Sequence, residues 1–284
     1  MNIVFLVYGD KFEYHLQTYF SILSVLAIKK EDEEIVVYSD RPQLYARLTD
    51  YVEIVPLDED TLKTWINDSG YVFRAKIKAI EHCALHHPEE PVLFLDGDTI
   101  MRHDFSDLRA LLEKGIGVMY VDEGHPSRMK GSSLRMWKAM KGEVIDGVLV
   151  GEKQHVWNSG VLGIPASLTH KIIPLAVRVC DVILSKHTRC FIAEQYAFAI
   201  AMTEYCPLHA ATDWVWHYWG NKEEWLALAD KFVMESYMKN ESVDQEIARI
   251  RLMDFSSIPV YVKKSNTRRR LTNFIAKLFP DKRG

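Results

Sequence analysis

Four short apolar runs, Ile3 to Tyr8, Ile35 to Tyr38, Pro91 to Leu95 and Val161 to Ile164, punctuate the sequence, and amphipathic stretches of helical period lie between them. A strand is apolar along its whole length when both of its faces are covered, and in α/β proteins helices do the covering. The alternation predicts an α/β fold around a central sheet that is mostly parallel. Gly9-Asp10 closes the first run and Ser39-Asp40 closes the second in the same way. Val52 to Val55 is a candidate third strand.

Phe12, Leu16, Tyr19, Leu23 and Leu26 mark the first helix. A second is predicted from Tyr71 to His86, with Phe73, Ile77, Ile80 and Ala84 on its buried face and Pro88 ending it. Arg74 and Lys78, four apart, project together from a neighbouring face. Further helices are predicted at Phe105 to Glu113, Ile172 to Leu184 and Glu194 to Met202, and a strand at Gly117 to Val121. The polar stretch from Glu123 to Ser133 reads as a loop of the kind that covers a site. No internal repeat interrupts this order.

A chain of 284 residues that is 48% hydrophobic can bury one large domain or two closely joined halves. Its first apolar run lacks the basic flank and length of a signal peptide or spanning helix, which predicts a cytoplasmic protein. Cys83, Cys180, Cys190 and Cys206 form no CxxC pair and are expected as buried thiols.

The net charge of −4 is unevenly spread, because the segment Lys263 to Gly284 holds eight Lys/Arg against one acid, leaving −11 on the rest. Such an acidic body repels phosphate, so no nucleic-acid partner is expected. Within the basic segment, Leu271, Phe274, Ile275, Leu278 and Phe279 form one apolar stripe flanked by Arg268, Arg269, Arg270 and Lys277. This pattern suits a helix lying on an anionic membrane, making the protein peripheral on the inner face. It equally suits a terminal helix docked on the acidic body.

The run Val92 to Leu95 delivers Asp96-Gly97-Asp98 to its carboxyl end, where open α/β sheets bind ligands. On an extended strand the two carboxylates would point to one side, about 6 to 7 Å apart. Two such oxygens suit Mg²⁺ or Mn²⁺, which can also take diphosphate oxygens from a substrate. A strand-ending turn explains the same acids without a metal. A haloacid-dehalogenase-type phosphatase also ends a strand in two aspartates, but its Thr comes four residues after the first, where this chain has Ile100. Dinucleotide binding fails at Tyr120, which replaces the third glycine after Gly115 and Gly117.

Four segments, in order, resemble GT-A glycosyltransferases, and family 8 in particular: the strand from Asn2 to Phe5 with its helix; Tyr71 to Lys78 leading into Val92 to Asp98; Trp157-Asn158-Ser159-Gly160-Val161-Leu162; and Glu194-Gln195 with His217-Tyr218-Trp219-Gly220. The resemblance implies a GT-A domain over 1–225, with a nucleotide-sugar half to about residue 100 and an acceptor-side half beyond. Residues 226–284 would be a helical, basic extension. It implies transfer of a hexose-type sugar from a UDP-sugar to a glycan or lipid-linked acceptor, with retention of anomeric configuration. A non-catalytic protein that binds nucleotide sugars on the same fold is the further alternative.

Residue by residue, the resemblance implies that Asp96, Asp98 and His217 ligate Mn²⁺ or Mg²⁺. Val7, Tyr8 and Asp10 would border base and ribose, and Arg74, with Lys78 beside it, would contact the donor sugar or diphosphate. Asn158 and Gly160 would lie beside the transferred sugar, with Glu194 and Gln195 under its anomeric carbon. Gly220 and Lys222 would reach the diphosphate. The chain departs from the family in that Lys222 comes one place early, Glu224 stands for proline, and Glu194 occupies a position where Asp is common. Without the resemblance, His217 reads as a packed member of the cluster Trp214, Trp216, Tyr218 and Trp219.

Overall fold

The computed structural model describes residues 1–187 and 190–263. The stripe at 268–279 lies outside the described residues. The amino-terminal half runs β1 (Asn2–Val7), α1 (Phe12–Leu26), β2 (Glu34–Ser39), β3 (Glu53–Pro56), α2 (Glu59–Ile66), α3 (Arg74–His86), β4 (Val92–Leu95) and β5 (Thr99–Met101). There follow α4 (Ser106–Glu113), β6 (Gly117–Met119), β7 (Asp122–Gly124), α5 (Gly131–Met140), β8 (Val144–Ile145), β9 (Val148–Leu149), β10 (Val156–Trp157) and β11 (Val161–Ile164). The remainder is α6 (Thr169–Ser185), α7 (Ala193–Tyr205), β12 (Leu208–Ala210), β13 (Val215–His217), α8 (Lys222–Lys239) and α9 (Val243–Arg251).

Seven strands form the main sheet in the order β12-β6-β11-β4-β1-β2-β3. All neighbours are parallel except β11, which runs antiparallel to both β4 and β6. This is the mixed, mostly parallel sheet flanked by helices that the GT-A resemblance implies. The continuous apolar runs are explained by burial on two sides. Val4, Val36 and Phe94 face a core built with α3, α6 and α7. Ile3, Phe5, Leu93 and Leu95 face the opposite core, built with α1, α8 and α9.

The helices beyond residue 225 belong to that second core. Trp225, Ala229 and Phe232 of α8 pack with Phe20 of α1, the Phe20 and Phe232 rings meeting edge-on at 5.2 Å. Buried aromatics of this kind cost about 3–5 kcal/mol when cut to alanine. A capping box at Ser242 and Gln245 starts α9. The chain then returns along α8, where the Pro259 carbonyl accepts hydrogen bonds from Asn221 Nδ2 (2.7 Å) and Trp225 Nε1 (3.2 Å). Tyr261 pairs with Gly220 in an isolated bridge and lays its ring against that glycine, where a Cβ would stand 2.2 Å from it.

Two expectations are corrected. The helix expected from Tyr71 is α3 and begins at Arg74, and Phe73, placed in the core by its spacing, is 47% exposed at the mouth of a cavity. The stretch 123–133 is not a simple loop: Glu123 sits in β7, which pairs with β10 as a two-stranded ribbon, and α5 starts at Gly131.

Candidate active site

A cavity of about 740 Å³ opens at the carboxyl ends of β1 and β4, as the topology of an open sheet requires. Asp96, Asp98 and His217 line it together. Strand β4 stops at Leu95, so the two acids do not share the face of one strand as the spacing predicts. A turn at Gly97-Asp98 carries the chain into β5, and β5 pairs antiparallel with β13, setting Thr99 opposite His217. The Tyr218 amide donates to the Asp98 carbonyl at 3.0 Å. Backbone pairing thus delivers an imidazole from late in the chain to an early aspartate.

His217 Nε2 lies 3.2 Å from Asp98 Oδ1 and 3.8 Å from Asp96 Oδ2. One ligand atom from each of the three side chains falls within 4.8 Å of the others. Asp98 Oδ2 is buried and takes the Lys222 ammonium at 2.7 Å. Burial alone would raise the Asp98 pKa, but His217 and Lys222 outweigh it and hold the carboxyl well below the ordinary range. Two carboxylates and one imidazole, each offering a ligand atom to the same small space, fit a divalent cation such as Mn²⁺ or Mg²⁺.

Beside this trio stands a buried cation that the sequence reading passed over. Lys76 Nζ donates to Asp96 Oδ1 (3.0 Å) and to the Ser159 carbonyl (2.8 Å), and it lies 3.3 Å from Glu194 Oε1. Burial works to lower the Lys76 pKa, yet the Asp96 and Glu194 carboxylates raise it above its usual value, so the charge is kept. Glu194 is further held by Ser159 Oγ at 2.6 Å and Tyr71 OH at 3.3 Å.

The other predicted residues divide. Val7, Tyr8, Asn158, Gly160, Glu194, Gln195 and Lys222 all line the cavity. Arg74 is placed elsewhere: its guanidinium forks onto Asp181 of α6 (2.7 and 3.1 Å) and donates to the Trp65 carbonyl at 2.7 Å. Lys78 pairs with Glu81 within its own helix. Asp10 stands in solvent against Arg41 at 2.5 Å, and Asp40 takes the Gly9 amide instead, at 2.9 Å. Gly220 is covered by Tyr261 rather than open to the cavity.

Glu123 is the second residue missed. Its Oε1 accepts from Asn158 Nδ2 and its Oε2 from Gln195 Nε2, both at 3.1 Å. Exposed apolar side chains, Val72, Phe73, Phe191 and Trp219, line the rim. All four cysteines are buried free thiols. Among the described residues no helix is long and apolar enough to cross a membrane.

No protein-family model matches the chain, and no curated protein matches it in sequence. Solved structures of glycosyltransferases do overlap it in shape. The galactosyltransferase LgtC in complex with donor and acceptor sugar analogs is 13% identical, with a TM-score of 0.48 over 74% of each chain. Mouse xyloside xylosyltransferase 1 is 12% identical, with a TM-score of 0.47 over 74% of this chain and 85% of that one. GlyE of Streptococcus pneumoniae TIGR4 is 14% identical, with a TM-score of 0.45 over 100% of this chain and 65% of that one.

Proposed function

We propose that this protein is a metal-dependent glycosyltransferase that moves a hexose-type sugar from a UDP-sugar to a glycan or lipid-linked acceptor. The observation that carries the reading is the convergence of Asp96, Asp98 and His217 on one point of a cavity large enough for a nucleotide sugar. Mn²⁺ or Mg²⁺ held by these three would neutralise the diphosphate of the donor and its departing charge.

The chain's own groups divide the remaining work. Val7 and Tyr8, at the end of β1, border the nucleotide, and Lys222 lies within reach of diphosphate oxygens on the far side of Asp98. Fixed cations near a leaving diphosphate stabilise charge as it develops. Glu194 and Gln195 sit at the start of α7 and offer oxygens to the face of the sugar that turns cationic. Retention of configuration is the outcome proposed with them. The apolar rim of Val72, Phe73, Phe191 and Trp219 supports an acceptor with an apolar or ring-faced portion. The basic stripe at 268–279 supports contact with an anionic membrane, placing the enzyme at the inner face.

A thermal-shift panel of nucleoside diphosphates and nucleotide sugars, with and without Mn²⁺, tests the reading. Stabilisation by a uridine nucleotide only when Mn²⁺ is present, with donor hydrolysis abolished by chelator, is the expected result. Full turnover in chelator removes the metal role. Phosphomonoester turnover without a nucleotide sugar transfers the site to phosphatase chemistry, and nucleotide binding with no transfer or hydrolysis makes it a binding protein.

A further inference from the structure

His217 can serve as a ligand through Nε2 only if its ring proton sits on Nδ1, and the surroundings of Nδ1 decide this. That atom lies 3.0 Å from Asn158 Oδ1. An Asn carboxamide presents either its oxygen or its NH₂, and two neighbours fix which end faces the ring. The Gly160 amide donates to Asn158 Oδ1 at 3.0 Å, which requires an acceptor there. Glu123 Oε1 accepts from Asn158 Nδ2 at 3.1 Å, which requires a donor at the other end. With its oxygen turned to His217, Asn158 requires that Nδ1 donate.

We infer that Glu123 is a positioning residue: through Asn158 it sets the His217 tautomer that turns the Nε2 lone pair toward Asp96 and Asp98. The inference rests on the metal reading above. With the Nδ1 proton held by Asn158, it is Nε2 that faces Asp98 Oδ1 at 3.2 Å and Asp96 Oδ2 at 3.8 Å, where a divalent cation takes the place of any proton between them. The same carboxylate accepts from Gln195 Nε2 with its other oxygen, and Gln195 Oε1 in turn takes the Ser159 amide at 3.4 Å. One carboxylate in the β7–β10 ribbon thereby fixes both carboxamides of the site. A neutral amide at 123 cannot do so, since it has one oxygen for two incoming NH₂ groups.

The hydrogen-bond polarity supplies its own test. In the full chain, Glu123→Gln leaves an NH₂ facing an NH₂, and Asn158→Asp sets two carboxylates against each other. In the double variant the new carboxamide at position 123 donates to the new carboxylate at position 158 while still accepting from Gln195. The bond between positions 123 and 158 is thereby restored with its direction reversed. Binding of Mn²⁺ alone is measured by calorimetry, and the His217 ring nitrogens are read by ¹⁵N NMR in metal-free and Mg²⁺-loaded protein. Loss of an outer partner of a metal-bound His costs about 10- to 100-fold in affinity, so each single variant is expected to weaken Mn²⁺ by at least about tenfold. The double variant is expected to recover most of that loss.

A pyrrole-type Nδ1 in the wild type, with proton density moving to Nε2 in Glu123→Gln, is the expected spectrum. Wild-type affinity in both single variants, or a double variant as weak as the two losses combined, overturns the inference. Should the wild type bind no Mn²⁺, the metal reading fails, and the NMR arm still decides whether Glu123 sets the tautomer. If Asn158→Asp does not fold, Glu123→Gln carries both measurements alone.

Discussion

Gly160 is packed against His217 so closely that a Cβ on it would stand 2.1 Å from both Cε1 and Nδ1 of the ring. The imidazole therefore occupies space that any other residue at 160 would claim. Gly160→Ala is expected to push His217 out of line with the two aspartates. Overpacking of this kind costs about 1–3 kcal/mol, so the protein should stay folded while Mn²⁺-dependent thermal stabilisation disappears. Unchanged Mn²⁺ stabilisation in the folded variant would show that His217 is not needed by the ion.

Asp98→Ala removes the acid that faces both His217 and Lys222. The expected outcome is loss of the Mn²⁺ response and of metal-dependent turnover. Donor hydrolysis at the wild-type rate would remove Asp98 from the reaction.

Lys76 is a cation buried between two carboxylates, Asp96 and Glu194. Removing one partner of such a group leaves the others uncompensated, at a cost of about 3–5 kcal/mol. Lys76→Met should fall by that amount in urea unfolding, and adding Glu194→Gln should restore part of the loss. A stable Lys76→Met single variant would contradict the pairing.

Arg74 faces Asp181 and the Trp65 carbonyl, not the cavity. Arg74→Lys cannot make the forked contact, and charge-assisted hydrogen bonds of this type contribute about 1.5–3 kcal/mol. Its unfolding midpoint should drop while nucleotide affinity holds. A selective loss of nucleotide affinity would instead return Arg74 to the donor site.

Burial pushes the Cys83 thiol up to about 12, with the acidic groups of Glu53 and Glu34 adding to the shift. At pH 8 its thiolate fraction is on the order of one in ten thousand, because the thiolate fraction falls tenfold per pH unit below the pKa. A disulfide-exchange reagent at pH 8 should label none of the four buried thiols in native protein and all four after unfolding. Labelling of Cys83 before unfolding would show that its pocket opens.

Strands β1, β2, β4 and β11 were legible because each is buried on both faces and so carries no polar interruption. The Asp-Gly-Asp segment stood out for the same reason, as the first charge after a wholly apolar run. What joins His217 to it is three residues of pairing between β5 and β13, more than a hundred positions apart in sequence, and such short ladders carry no periodic signal. Lys76 carries a signal of its own: with Ile80 and Cys83 it follows the i, i+4, i+7 spacing of the buried face, and a lysine there needs anionic partners. Arg74 and Lys78 drew notice by sharing a face, but that face meets Asp181 and Glu81. Glu123 lies in a three-residue strand beside one other acid, Asp122, with nothing local to mark it.

The segment returning through Pro259 and Tyr261 acts as a tether on the loop between β13 and α8. Cutting the chain ahead of Pro259 would strip the acceptor from the Asn221 amide and the Trp225 indole, loosening the helix start that aims Lys222 at Asp98. Tyr261 also meets the ring of Trp219, on the rim of the cavity, at 5.3 Å, so the described chain ends two residues beyond that rim contact. A tag or fusion joined directly after Lys263 would therefore begin two residues from the mouth of the cavity, and is best cleaved off before binding or turnover is assayed.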